Sequence, residues 1–242
     1  MSPPYKKSRK EPSPSWCPFS CLPYEMAMNC LARVPKTDID GLSLVSKRYR
    51  SLFAWPELYR IRSLEGCTET YLYVCLRTPP DPNPLWYLLG RRKSRDTSDL
   101  IPIPSLPCQS QEESSVVALD SGIYVIGGLI KGNPTSDVWR LDCRTYTWRH
   151  LPSMGVARAS AAAAVVDGKI YVLGGCKFDD YSLNWGEVYD PKTQTWDSLP
   201  PMPDRNKLNE LIHGCVVRDR KVFAVDGSER TFYYSPSEVN LG

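Results

Sequence analysis

The sequence predicts an α+β chain that is mainly β, with three short helices near the N-terminus followed by small antiparallel sheets built from a repeated unit. Three observations carry this prediction. Apolar residues recur at helical spacing from Leu22 to Leu52; beyond residue 66 they fall into short β-branched and aromatic runs; and two downstream segments overlay with glycines and tryptophans in register.

Residues 1–20 hold Pro3, Pro4, Pro12, Pro14 and Pro18 among Lys, Ser and Glu, a composition that cannot bury enough apolar surface to offset the entropy of ordering. This reads as a disordered tail. Its run Lys6-Lys7-Ser8-Arg9-Lys10 fits either a nuclear import signal or a solvated charge cluster. Of a net charge of +3 over 242 residues, four positive residues lie in the first ten, so the remainder is close to neutral and suggests no nucleic-acid groove and no membrane-binding face. No apolar stretch approaches the roughly 20 residues that span a bilayer, and the basic start is followed by Pro and Ser rather than a signal-peptide core. The expected location is the nucleus, the cytoplasm or both. Nine cysteines include no CxxC pair, which points to free, mostly buried thiols rather than to zinc or disulfides.

From Leu22-Pro23 the pattern turns helical, since a proline in a first turn loses no internal hydrogen bond. Met26, Cys30 and Leu31, with Ala27, form the expected apolar face. Val34-Pro35 ends the helix, because the ring disfavours helical geometry in the residue before it. Thr37 is placed to cap a second helix with Asp38 and Asp40 in its first turn and Ile39, Leu42 and Val45 as its stripe. Ser46 is placed to cap a third, carrying Lys47 to Leu52. Three helices of this size fall below the roughly 40 residues at which a domain usually holds itself together, so their apolar stripes need an outside surface or the rest of the chain.

Leu22-Pro23-x-Glu25, Cys30-Leu31-Ala32-Arg33-Val34-Pro35, Ile39, Leu42 and Leu44-Val45-Ser46-Lys47-Arg48-Tyr49-Arg50-x-Leu52 resemble an F-box. The resemblance implies docking onto a Skp-type adaptor, and through it a cullin, by Leu22, Pro23, Met26, Leu31, Val34, Pro35, Ile39, Leu42, Val45 and Leu52. The F-box and a linker helix occupy residues 21–65.

The repeat begins with Val117 to Gly128, Asp137 to Asp142, Thr145-Tyr146-Thr147-Trp148 and Leu151-Pro152-x-Met154. It recurs in Ala164 to Gly175, Glu187 to Asp190, Thr193-Gln194-Thr195-Trp196 and Leu199-Pro200-x-Met202. Asp167-Gly168 suits a tight hairpin turn, and Ile170 to Leu173 an unbroken buried strand. The pairs Gly127-Gly128 and Gly174-Gly175 let backbones approach closely. Asp-x-x-Thr-x-Thr-Trp makes an outer turn whose indole, Trp148 or Trp196, covers the sheet between neighbours.

These residues resemble kelch repeats, implying a β-propeller portion over residues 66–242, with full repeats at about 114–160 and 161–208. Partial blades are expected at 70–90 and 212–242, the first with Trp86 in the place of Trp148, the last with Asp226-Gly227 in place of the double glycine. Propellers usually close with about 4 to 8 blades, so the expectation is an incomplete propeller, an open arc of about three blades. Together with Leu58-Tyr59-x-Ile61-Arg62-Ser63-Leu64, the chain resembles the plant F-box/kelch-repeat family. That resemblance implies a substrate-recognition adaptor of a Skp-cullin-F-box ubiquitin ligase whose repeats bind a protein target for ubiquitination.

The alternative is a kelch-propeller scaffold or small-molecule enzyme without a ubiquitin role. His150 and His213 are too few for a copper oxidase of this architecture, and no motif pairs a nucleophile with a base. No catalytic, cofactor or metal residue is therefore assigned. Arg158 and Arg205 fit either an anion-binding face or, more simply, loop stabilisation.

Overall fold

The computed structural model describes residues 22–35, 38–39, 47–77, 83–91, 98–108, 112–176, 185–200, 212–226 and 231–237. The basic tail, Thr37, Leu42, Val45, Ser46, Arg205 and the side chain of His213 lie outside them. The chain divides into two compact units, Met1–Thr70 and Tyr71–Gly242.

In the first unit, α1 (Tyr24–Ala32) starts after Pro23, whose φ of −51° and extended ψ suit an N-terminal boundary. α2 (Lys47–Phe53) follows, and α3 (Pro56–Leu64) opens on a proline at its first position. α1 buries Ala27, Met28, Leu31 and Ala32. These join Ile39, Phe53 and Leu58 in one core, edged by Val34, Leu52, Tyr59 and Ile61. The buried face is therefore centred on Met28, not on Met26 and Cys30, which are exposed. The two candidate stripes differ by roughly 100° of helix rotation, about one residue, and α3 packing against α1 decides between them.

A buried arginine locks this unit. The Arg62 guanidinium donates to the Val34 carbonyl at 2.8 Å and pairs with Glu69 at 2.6 Å, tying α3 to the chain leaving α1.

Among the described residues the second unit contains four antiparallel sheets of three or four strands and one two-stranded ribbon. The first pairs β1 (Leu72–Leu76), β2 (Leu85–Arg91) and β3 (Ser98–Pro102). The second contains β4 (Ser115–Leu119) and β5 (Gly122–Ile126); after a small ribbon of β6 (Leu129–Ile130) and β7 (Asn133–Pro134) come its β8 (Val138–Asp142) and β9 (Thr147–Leu151). The third is β10 (Ala162–Val166), β11 (Lys169–Leu173), β12 (Gly186–Asp190) and β13 (Thr195–Ser198). The fourth is β14 (Ile212–Arg218), β15 (Lys221–Asp226) and β16 (Thr231–Tyr234). The inner strands β4, β10 and β14 lie side by side, with β10 touching both others.

The first sheet has three described strands where two were expected, and this moves Trp86. Leu89 pairs with Leu100 as Leu141 pairs with Trp148 and Tyr189 with Trp196. Leu100, not Trp86, thus occupies the repeated tryptophan position. Trp86 sits on the middle strand β2 and is buried. Proximity of Trp86 to an apolar run made the two positions look alike in sequence; strand pairing separates them.

Three apolar layers join the four sheets. Trp86, Leu88 and Ile103 of the first sheet meet Ile123, Val125 and Leu141 of the second. Tyr124, Ile126 and Val138 of the second meet Ile170, Val172 and Tyr189 of the third. Ala164, Tyr171 and Leu173 of the third meet Val222 and Ala224 of the fourth. Alternation along each strand gives the second and third sheets one apolar face toward the sheet before and one toward the sheet after.

Candidate docking surfaces

On the helical unit, turning Met28 inward turns Pro23 and Met26 outward, Met26 with 56% of its surface exposed. Tyr24 and Trp55 are also about half exposed, and their rings meet edge to face at 5.8 Å. Sequence reading passed over this pair; Trp55 directly before Pro56 was its available signal. Leu22 and Pro35 are half-buried, while Leu31 and Ile39 belong to the core with Val34 and Leu52 at its edge.

The joints between sheets repeat as closely as the sequence does. Trp148 Nε1 donates to the Pro104 carbonyl at 2.8 Å, and Trp196 Nε1 to the Pro152 carbonyl at 2.8 Å, each reaching the end of the preceding sheet. Trp148 also packs edge to face on Trp86, with centroids 5.5 Å apart. The double glycines all have positive φ. A Cβ on Gly128 would stand 2.6 Å from the Glu112 carbonyl oxygen, and one on Gly175 2.5 Å from that of Ala159. Backbone therefore occupies the space a side chain would need.

Each outer turn is built the same way. Asp142 Oδ1 accepts from the Arg144 N–H and Asp190 Oδ1 from the Lys192 N–H, both at 2.9 Å, and a threonine pair closes each turn. The electrostatics differ. Burial would raise the Asp142 carboxyl, but hydrogen bonds from the Arg144 side chain and backbone, with the charges of Arg144 and Arg140, outweigh it and hold the pKa at about 2. Asp190 is lowered chiefly by the Lys192 N–H and then by Lys169.

Arg158 is fully buried. Its Nε and Nη2 donate to Glu187 Oε2 at 3.1 and 3.0 Å, and its Nη1 to the Gly174 carbonyl at 2.7 Å. Glu187 Oε1 in turn accepts from the Gly155 N–H at 2.7 Å. The anion-binding reading of Arg158 is thus replaced by the structural one: it clamps the loop after β9 onto the third sheet. His150 is exposed, lies 3.4 Å from Asp137 and meets Trp139 edge to face at 4.9 Å.

The sequence suggested mostly buried thiols, yet among the described cysteines only Cys176 is fully buried, and Cys30 and Cys75 are exposed. Burial pushes the Cys75, Cys108 and Cys215 thiols up, which keeps them protonated and poor nucleophiles. Among the described residues no cluster of three His, Cys, Asp or Glu could hold a metal ion, and no helix is long and apolar enough to cross a membrane. A cavity of about 420 Å³ opens beside β1, lined by Cys75, Arg77, Trp86, Glu113 and Val116.

A small helical unit with outward apolar side chains precedes a row of three- and four-stranded sheets that share one repeated register. Comparison with known sequences agrees. The F-box domain family matches residues 19–61, and the FKB95 kelch-repeats domain family matches residues 86–241. The F-box/kelch-repeat protein At4g39560 of Arabidopsis thaliana is 43% identical over 97% of this chain and 88% of its own length. The F-box/kelch-repeat protein At4g39240 of the same plant is 42% identical over 96% of this chain and 62% of its own. This chain belongs to the F-box/kelch-repeat family. It spans 59% and 61% of the length of two further Arabidopsis relatives. A solved structure of YjhT superposes with a TM-score of 0.48 at 18% identity, over 58% of this chain and 50% of that one.

Proposed function

We propose that the helical unit docks onto a Skp-type adaptor, and through it a cullin, so that the repeat sheets hold a protein target for ubiquitination. The observation that supports this most directly is the outward apolar set Pro23, Tyr24, Met26 and Trp55 over an already complete helical core. Exposed aromatic and sulfur-bearing side chains of this kind cost solubility unless a partner covers them. In this reading Pro23 and Met26 touch the adaptor, with Leu22 and Pro35 at the margin. Leu31, Val34, Ile39 and Leu52 act from inside, fixing the angles of the helices. The protein then needs no chemistry of its own: it raises the local concentration of target beside the conjugating machinery.

The test is calorimetry with a recombinant Skp-type adaptor, comparing the chain with a Met26→Asp, Pro23→Ala double variant. Both positions are exposed, so the fold survives, whereas a carboxylate buried unpaired at the interface weakens binding at least tenfold, about 1.4 kcal/mol. Equal affinity of the two proteins, or no binding by either, overturns the proposal; the second result returns the chain to the scaffold or enzyme reading.

A further inference from the structure

The helices α1 and α3, which pack together in the helical unit, both start without a side-chain cap. Pro23 precedes α1 and Trp55 precedes α3, and neither offers a side-chain oxygen to the free N–H groups of the first turn. Helix ends of this kind fray unless a contact from outside the helix holds them. Here the two starts meet each other. The ring of Tyr24, the first residue of α1, and the ring of Trp55 lie edge to face, with centroids 5.8 Å apart and planes at 84°. The Trp55 backbone is fixed on both sides: its N–H donates to the Leu52 carbonyl of α2 at 3.2 Å, and its carbonyl accepts from the Leu58 N–H of α3 at 3.2 Å. Trp55 therefore offers Tyr24 a support anchored in two other helices.

We infer that Trp55 is a positioning residue for adaptor docking: through Tyr24 it holds the first turn of α1 in the shape that presents Pro23 and Met26. The inference rests on the docking proposed above and adds how that surface is kept in order. The Pro23 carbonyl accepts from the Ala27 N–H at 3.0 Å, so Pro23, Tyr24 and Met26 belong to one turn. A loose turn must be ordered when the adaptor binds, and that ordering lowers affinity. Core packing does not account for the ring pair. Tyr24 and Trp55 keep 48% and 49% of their surface exposed, and the core of Met28, Leu31, Phe53 and Leu58 forms without them.

Calorimetry with a recombinant Skp-type adaptor tests this on the full chain, using Trp55→Ala, Trp55→Phe, Tyr24→Ala and the Trp55→Ala, Tyr24→Ala double variant. Trp55→Ala is expected to weaken binding roughly threefold to tenfold, the worth of one aromatic pair, and Trp55→Phe to restore most of the loss. In the Tyr24→Ala background, Trp55→Ala is expected to add nothing, because its route to the turn is already cut. In the free chain, hydrogen exchange at Ala27 should rise in Trp55→Ala and fall back in Trp55→Phe. Unchanged affinity or unchanged exchange in Trp55→Ala overturns the inference. So does a Phe variant as weak as the Ala variant. Additive losses also overturn it, since they would mean that Trp55 touches the adaptor directly. Failure of the docking proposal has a different signature: the unmodified chain then does not bind the adaptor, while the exchange measurement still decides whether Trp55 orders the turn.

Discussion

The second and third sheets carry the full repeat, and the first and fourth carry degraded copies of it, yet all four share one strand register. The inner pair owes its order to specific polar devices: an indole hydrogen bond to the preceding sheet, double glycines under neighbouring backbone, and the Arg158–Glu187 clamp. The first sheet has Leu100 at the indole position, and the fourth replaces the double glycine with Asp226-Gly227. Apolar alternation is common to all four sheets, and the polar devices fix how neighbouring sheets meet. Removing one device at a time tests that division.

The largest effect is expected from Glu187→Ala. It leaves the fully buried Arg158 guanidinium without its carboxylate and the Gly155 N–H without its acceptor. Breaking a buried pair from one side costs about 3–5 kcal/mol, readable as a fall in the denaturant midpoint of the repeat unit. A loss no larger than that of an exposed substitution such as Lys192→Ala would remove the clamp from the account.

Asp142 and Asp190 sharpen the comparison between equivalent turns. With the Asp142 pKa at about 2 in the folded protein, against an ordinary value near 3.9, the difference stabilises the folded state by about 2 kcal/mol. Because the folded pKa is depressed, this contribution is complete above roughly pH 4 and disappears as pH falls through about 2. Asp142→Asn should therefore lower stability at neutral pH and flatten its acid dependence, while Asp190→Asn does both less. Urea titrations of both variants at neutral and acid pH measure the difference; equal behaviour would show that the Arg144 and Arg140 contacts of Asp142 do not separate the two turns.

The smallest effect is the indole bond itself. Trp148→Phe and Trp196→Phe keep a ring and remove the donor to Pro104 or Pro152, costing about 1 kcal/mol each. Hydrogen exchange should rise at the joint of the substituted residue and stay unchanged at the other. Uniformly raised exchange would mean that the joints are not independent.

Much of this is legible in the sequence, and the reason differs by element. Gly127-Gly128, Gly174-Gly175, Trp148, Trp196 and the Asp-x-x-Thr turns are readable because each answers a local demand, a positive φ or a two-residue hairpin, that few residue types meet. Apolar runs and turn residues were enough to locate the strands of the two full repeats. They were not enough for β3, whose Ser98 to Pro102 lacks a turn signature and is recruited by pairing with β2.

By itself, then, the sequence determined that helices precede repeated sheets, where the two complete repeats lie, and which residues make their turns. Tertiary structure decided which side of α1 is buried, that Trp86 is a core residue, that Arg158 is a clamp, and that Tyr24 and Trp55 stand outward. The division follows the range of the forces involved. Hairpins and helix starts are set by neighbours a few residues away, whereas the face a helix buries and the partner a buried charge finds depend on residues tens of positions distant: Leu58 for α1 and Glu187 for Arg158.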